Sequence, residues 1–188
     1  PPRSTLFPYT TLFRSGRYCE KEESHMKAFV IDTNVPVTAI GMAGQADIHC
    51  VEACIDALVE AKKATVVLDD LNLIMTEYRR HLSPSGQPGL GDMFMKWLHQ
   101  NQGRPQCCEF VHLTPRDGSN EDFEEFPDDT ELASFDRADR KFVAAARTSR
   151  HRPRVVNATD TDWWIYRQVL KKNGVRVKFL CPQCMCTD

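Results

Sequence analysis

Four carboxylates in this chain stand where an ordinary solvent-facing acid would not. Asp32 follows directly on the apolar run Lys27-Ala28-Phe29-Val30-Ile31, and Asp160 follows Val155-Val156-Asn157 in the same sense. Asp139 shares one helical face with Phe142, Val143 and Ala146, spaced i, i+3, i+4 and i+7. Glu77 lies three residues after Ile74 and beside Tyr78, at the edge of another apolar stripe. A lone ionised carboxylate on such a face costs several kcal/mol unless it is paired or bound to a metal. Each acid also has an ordinary explanation. Asp32 and Asp160 suit a turn or helix cap, Asp139 can cap from its first turn as Asp136 does, and Glu77 can pair with Arg79 or Arg80. Gathered in one place they would do different chemistry. Converging carboxylates repel, so they protonate or collect a cation, and oxygen ligation favours Mg²⁺ or Mn²⁺ over zinc.

The elements that would carry these acids follow from periodicity. Residues 27–31 read as a short buried strand, and Asp47 caps a helix to Lys63 with Ile48, Val51, Cys54, Ile55, Leu58 and Val59 as its stripe. Thr65–Leu68 is a second strand. Asp69 or Asp70 caps a helix to about Leu82, and a Pro/Gly/Ser loop over 83–91 leads to a helix over about 90–102. Residues 109–113 alternate as a strand, 139–149 are helical, and 154–157 form a strand. A helix over 161–173 ends at Gly174, before a last strand over 175–180. Strands alternating with helices predict an α/β fold, a parallel sheet with helices on both faces, and the lines of strand and helix place Asp32 and Asp160 outside strand carboxyl ends, where such sheets bind ligands.

Composition bounds the rest. The 188 residues are 41% hydrophobic and 27% charged with a net charge of −2, which suits one ordinary domain. No apolar run approaches the roughly 20 residues a membrane span needs, so no membrane partner is expected. The small net charge gives no general attraction to nucleic acid, leaving local patches or bound metal to provide it. Residues 5–15 read like the translation of a sequencing adapter, so 1–25 are expected to be an artefactual or disordered segment with Met26 as the start.

Taken in order, Val30-Ile31-Asp32-Thr33-Asn34, Glu77-Tyr78, Asp139 through Ala146 (Asp-Arg-Lys-Phe-Val-Ala-Ala-Ala) and Asp160-Thr161-Asp162-Trp163 resemble the PIN-domain family of metal-dependent nucleases. The resemblance spans about 26–180, leaving 181–188 as a Cys-bearing tail. It implies an acidic site of Asp32, Glu77, Asp139 and Asp160 with Asp162 as a peripheral fifth metal ligand. Thr33, Asn34, Arg140 and Lys141 would meet the substrate, and Thr33 or Asn34 would also orient Asp32. Where the family often carries Thr-Gly-Asp this chain has Ala158-Thr159-Asp160, so Asp160 and Asp162 stand as alternatives for the last ligand. The implied activity is Mg²⁺- or Mn²⁺-dependent hydrolysis of RNA or single-stranded nucleic acid, with Asp32 and Asp160 as central ligands. Such a nuclease could be the toxin of a toxin–antitoxin pair with an antitoxin-like protein partner, and dimers are common in the family.

Two other readings compete: a PIN-like nucleic-acid or protein binding module with feeble catalysis, and a phosphatase-like hydrolase using Asp32 as nucleophile. The first does not need a costly carboxylate cluster. The second lacks the aspartate two residues on, where Asn34 stands. Arg137, Arg140, Lys141, Arg147, Arg150, Arg152 and Arg154 either hold phosphates or form a solvated face. The eight carboxylates between Asp117 and Glu131 read as a mobile solvated loop rather than a gate. Eight cysteines are too few for a disulfide scaffold, and Cys50 and Cys54 within one helix suit a reduced, cytoplasmic protein. Cys181-Pro-Gln-Cys184 has zinc-like spacing, with only the adjacent Cys107-Cys108 to complete it, so a frayed thiol-bearing tail is expected. Trp163, Trp164 and Tyr166 are expected to pack, and the six histidines show no ligand spacing.

Overall fold

A computed structural model describes residues 27–185. The expectations for 1–25 and for Met26, and the last three residues of the tail with Cys186, lie outside the described residues. Strand β1 (Ala28–Ile31) leads through α1 (Asn34–Ala39) and α2 (Ile48–Ala61) to β2 (Thr65–Asp69), then through α3 (Leu73–His81) and α4 (Leu90–Asn101) to β3 (Cys108–Val111). Helix α5 (Arg140–Thr148) precedes β4 (Arg154–Asn157), and α6 (Thr161–Ile165) and α7 (Arg167–Lys172) precede β5 (Arg176–Phe179). All five strands are parallel, in the order β3-β2-β1-β4-β5. This is the α/β parallel sheet expected from the alternating pattern. Right-handed crossovers send the connections from β1 to β3 over one face and those from β3 to β5 over the other. The central strands β1 and β2 are buried along their whole length, as a sheet covered on both faces requires. Among the described residues no helix is long and apolar enough to cross a membrane.

Local chemistry fixes the element ends. Asp47 caps α2, its carboxylate accepting from Cys50 N at 2.7 Å. Asp69, not Asp70, serves α3: buried at the end of β2, it accepts from the N–H groups of Leu73 and Ile74 at 2.7 and 2.8 Å. Asp70 instead meets His112 Nδ1 and Leu113 N. Gly174 ends α7 at φ +81°, the left-handed position that favours glycine. Helix α4 lies so close to α1 that a Cβ on Gly91 would stand 2.1 Å from the Pro36 carbonyl oxygen.

Several expectations are corrected. The buried face of α2 is Cys50, Cys54, Ala57, Leu58 and Ala61, whereas Ile48 and Val59 are exposed. Small side chains let α2 pack closely, so size alone misplaced the stripe. The helix over 161–173 breaks at Tyr166 into α6 and α7, with no glycine or proline to account for it; the Tyr166 ring sits edge-on against Phe135 at 5.5 Å. The acidic segment is not a loose loop. Phe123, Phe126, Leu132 and Phe135 are buried, Pro115 pairs with Phe123 in an antiparallel bridge, and Glu125 accepts from Thr114 N and Oγ1. Alternate aromatics hold down a stretch whose acids dominate its composition.

The tail is corrected as well. Cys181 is disulfide-bonded to Cys50 across 131 residues, and Cys181 and Met185 are buried, so the packed chain continues past residue 180 and does not fray there. The expected set of reduced thiols therefore loses Cys50 and Cys181. Cys107 and Cys108 stand at the start of β3, on the opposite edge of the sheet from β5, and cannot complete a site with Cys181 and Cys184.

Candidate metal centre at the strand carboxyl ends

Strand order reverses between β1 and β4, and open parallel sheets bind ligands beyond the strand carboxyl ends at such a point. The register sets Ile31 beside Val156, so Asp32 leaves β1 next to Asn157, the last residue of β4. Asp32 N donates to Val156 O at 3.0 Å, and its carboxylate accepts from Asn34 N at 3.0 Å and from Asn157 Nδ2 at 3.1 Å. Asp160 caps α6, accepting from Asp162 N at 2.9 Å. Asp139 enters from the turn ahead of α5. Asp136 caps that turn, leaving Asp139 free to accept from Trp163 Nε1 at 3.0 Å. One carboxylate oxygen from each of Asp32, Asp139 and Asp160 lies within 4.8 Å of the others. Asp32 and Asp160, the outer two of the three, are 128 residues apart in the chain.

Glu77 stands beside this trio. Its carboxylate accepts from Thr33 Oγ1 at 2.5 Å and pairs with Lys141 Nζ at 2.5 Å; Arg79 and Arg80, its expected partners, are exposed. Helix α3 is held against β1 by Tyr78, whose hydroxyl donates to the Ile31 carbonyl. Thr33 thus orients Glu77, while Asp32 is oriented by the Asn34 backbone and by Asn157. The Asn34 side chain accepts from Ala158 N at 2.8 Å and joins the two strand exits. Asp162 stays half-exposed in the first turn of α6 and is not among the three acids that meet.

The basic residues divide. Lys141 is buried, against Glu77 and the Ala138 carbonyl. Arg140 is turned away into the acidic segment, where it pairs with Asp122 at 2.9 Å, donates to the Ala133 carbonyl and lies over the Phe126 ring. Arg147 donates to the Glu125 carbonyl, and Arg150 pairs with Glu109. Arg154 begins β4, at the opposite strand end from the acids. The arginine-rich stretch is therefore not one patch.

The electrostatics are those of like charges that one lysine, Lys141, only partly offsets. Burial pushes Asp32 up to about 7, with the Asp160 and Glu77 charges adding and the Asn34 and Asn157 hydrogen bonds opposing. Burial likewise pushes Asp139 up to about 9, reinforced by Asp32 and Asp160 and opposed by Lys141. Asp160 is raised by burial, and the Asp162 N–H and a hydrogen bond from Asp139 pull it back. Asn157 Oδ1 and Asn34 Nδ2 are buried without a partner among the described residues. Hard oxygen donors, excess negative charge and an orphan acceptor are a set that could hold a metal ion.

Asn157 and Trp163 were not among the expected site residues. Asn157 is the last residue of a strand and Trp163 reads as packing. Trp163 does pack, edge-on to Phe135 at 5.2 Å, while its ring N–H serves Asp139. A polar residue ending a buried strand was the available signal for Asn157. The protein-family models, curated proteins and solved structures compared with this chain yield no match to it.

Proposed function

We propose that this chain is a PIN-like, Mg²⁺- or Mn²⁺-dependent endonuclease acting on RNA or single-stranded nucleic acid. The observation that carries the reading is the meeting of Asp32, Asp139 and Asp160 at the point where strand order reverses. A bound Mg²⁺ or Mn²⁺ would polarise a phosphoryl oxygen and make water a better nucleophile near neutral pH. Asp32, Asp139 and Asp160 would hold the ion, each with its orientation fixed: Asp32 by Asn34 N and Asn157, Asp139 by Trp163, and Asp160 by Asp162 N. Glu77, aimed by Thr33 and Lys141, is placed to accept a proton or hold a water beside the ion. Lys141 is the one cation of the expected substrate-binding set that stays at the acids, so it serves as their counter-charge, and Arg140 holds the acidic segment in place.

Labelled single-stranded RNA incubated with Mn²⁺, and separately with chelator, tests the reading. Cleavage is expected with Mn²⁺ and none with chelator. Asp32→Asn, isosteric and still able to meet Asn34 N, is expected to fold and to lose activity by about 10²–10³-fold or more. Cleavage that survives chelation or the substitution overturns the proposal.

A further inference from the structure

Away from the acids, a second cluster of ligating side chains joins α2 to the chain beyond β5. Cys50 and Cys54 are four residues apart on α2, so both thiols project from one face a helical turn apart. After β5 the chain makes a single 3-10 turn over Pro182–Cys184, with Cys184 N donating to Cys181 O at 3.0 Å, so Cys184 follows Cys181 by one tight turn. The sulfurs of Cys50, Cys54 and Cys181 all lie within 4.8 Å of one another and all three residues are buried. Cys184 is half-buried and stands outside this 4.8 Å group, its thiol making a weak contact with the Gln45 carbonyl at 3.5 Å.

The Cys50–Cys181 bond uses two of these sulfurs and leaves Cys54 and Cys184 with no part in the cross-link. A helical pair four apart facing a C-x-x-C turn is a four-sulfur arrangement. Tetrahedral Zn²⁺, with Zn–S bonds of about 2.3 Å, sets its sulfurs roughly 3.8 Å apart; Cys54 already stands within 4.8 Å of the Cys50 and Cys181 sulfurs, and Cys184 would turn its thiol inward to complete the set. Buried thiolates select such a soft, tetrahedral ion over Mg²⁺.

We propose that in the reduced protein Cys50, Cys54, Cys181 and Cys184 form a tetrathiolate Zn²⁺ site, and that the Cys50–Cys181 disulfide is its oxidised, metal-free alternative. A dithiol or phosphine reductant supplies two electrons to the disulfide and is itself oxidised. The S–S bond breaks and each sulfur takes up a proton from solvent. Zn²⁺ then forms four Zn–S bonds as the four thiols release their protons. Either state ties the edge strand β5 to α2, so the link survives a change of redox conditions. The site is independent of the nuclease reading.

Titration of the full-length chain with Co²⁺ tests it, after phosphine reduction and metal removal, without oxygen. The titration is done in an Asp32→Asn background so that carboxylate binding does not compete. One equivalent of Co²⁺ is expected to give near-ultraviolet sulfur-to-cobalt charge transfer and the visible bands of tetrahedral thiolate, both abolished by Zn²⁺. Cys54→Ala and Cys184→Ser keep the disulfide partners, and circular dichroism of their oxidised forms checks folding. Each is expected to weaken Co²⁺ binding by at least about tenfold, the loss that outer-shell changes alone can cause, while Cys107→Ser leaves it intact. Absence of thiolate bands in the reduced protein, or bands unchanged in Cys184→Ser, overturns the site.

Discussion

Asp32 and Asp139 are forced toward their neutral forms by burial and by neighbouring carboxylates, which Lys141, already paired with Glu77, offsets only in part. Their carboxyls, near 3.8 when unperturbed, stand at about 7 and about 9 in the folded protein. Between these limits the native state keeps protons that the unfolded chain has released, so stability is greatest below the unfolded value and is lost as pH rises through the folded values. In chelator, the melting temperature is therefore expected to fall between pH 5.5 and 9. Asp139→Asn, which is neutral throughout, should flatten the fall, and Mn²⁺ should oppose it by favouring the ionised carboxylates. A melting temperature in chelator that is flat or rises over this range would contradict the electrostatic account. The same arrangement explains why the acids lie so near strand and helix ends. There, backbone N–H groups of Asn34 and Asp162 orient the carboxylates without adding bulk.

The acids depend on elements that hold their starting points together. Tyr78 ties α3 to the last carbonyl of β1, and Gly91 lets α4 approach α1, which begins two residues after Asp32. Gly91→Ala puts a methyl group against the Pro36 carbonyl, a backbone atom that cannot turn aside. It is expected to destabilise the fold by roughly 1–3 kcal/mol in chemical denaturation; no measurable loss would mean that the α1–α4 contact is looser than described. The strands, the long helices and the carboxylates at the strand ends could be read from the chain because each rests on a local pattern. Asp32 and Asp160 stood out because each follows the carboxyl end of an apolar strand, and Asp139 because it shares a helix face with Phe142, Val143 and Ala146. Helix α1 escaped notice: it is six residues long and carries Pro36 in its first turn, where proline is tolerated but where a short apolar stretch gives no clear period. The true face of α2 was hidden because its contact residues are small, and the disulfide because partners 131 residues apart leave no local trace. Asn157 and Trp163 act through neighbours that only folding supplies.

One domain holds the described chain, and the 115–135 segment is part of its packing. Four of its acids are engaged with basic groups: Asp122 with Arg140, Glu121 with Arg137, and Asp129 and Glu131 with Lys172. Asp122–Arg140 is the most buried of these pairs, and the Arg140 Nε is already without a partner among the described residues. Asp122→Asn is therefore expected to cost about 3 kcal/mol by leaving the guanidinium buried and unpaired. A cost within about 0.5 kcal/mol, the usual range for surface sites, would show that the segment is not anchored there. Asp32, Asp139 and Asp160 are proposed to build one divalent-cation site, and Mn²⁺ binding followed by electron paramagnetic resonance puts this to the test. The wild-type protein is expected to remove free Mn²⁺ signal saturably at one or two ions per chain, and folded Asp32→Asn and Asp160→Asn are each expected to lose most of that binding. No saturable uptake by the wild type, or undiminished uptake by both variants, would contradict the account.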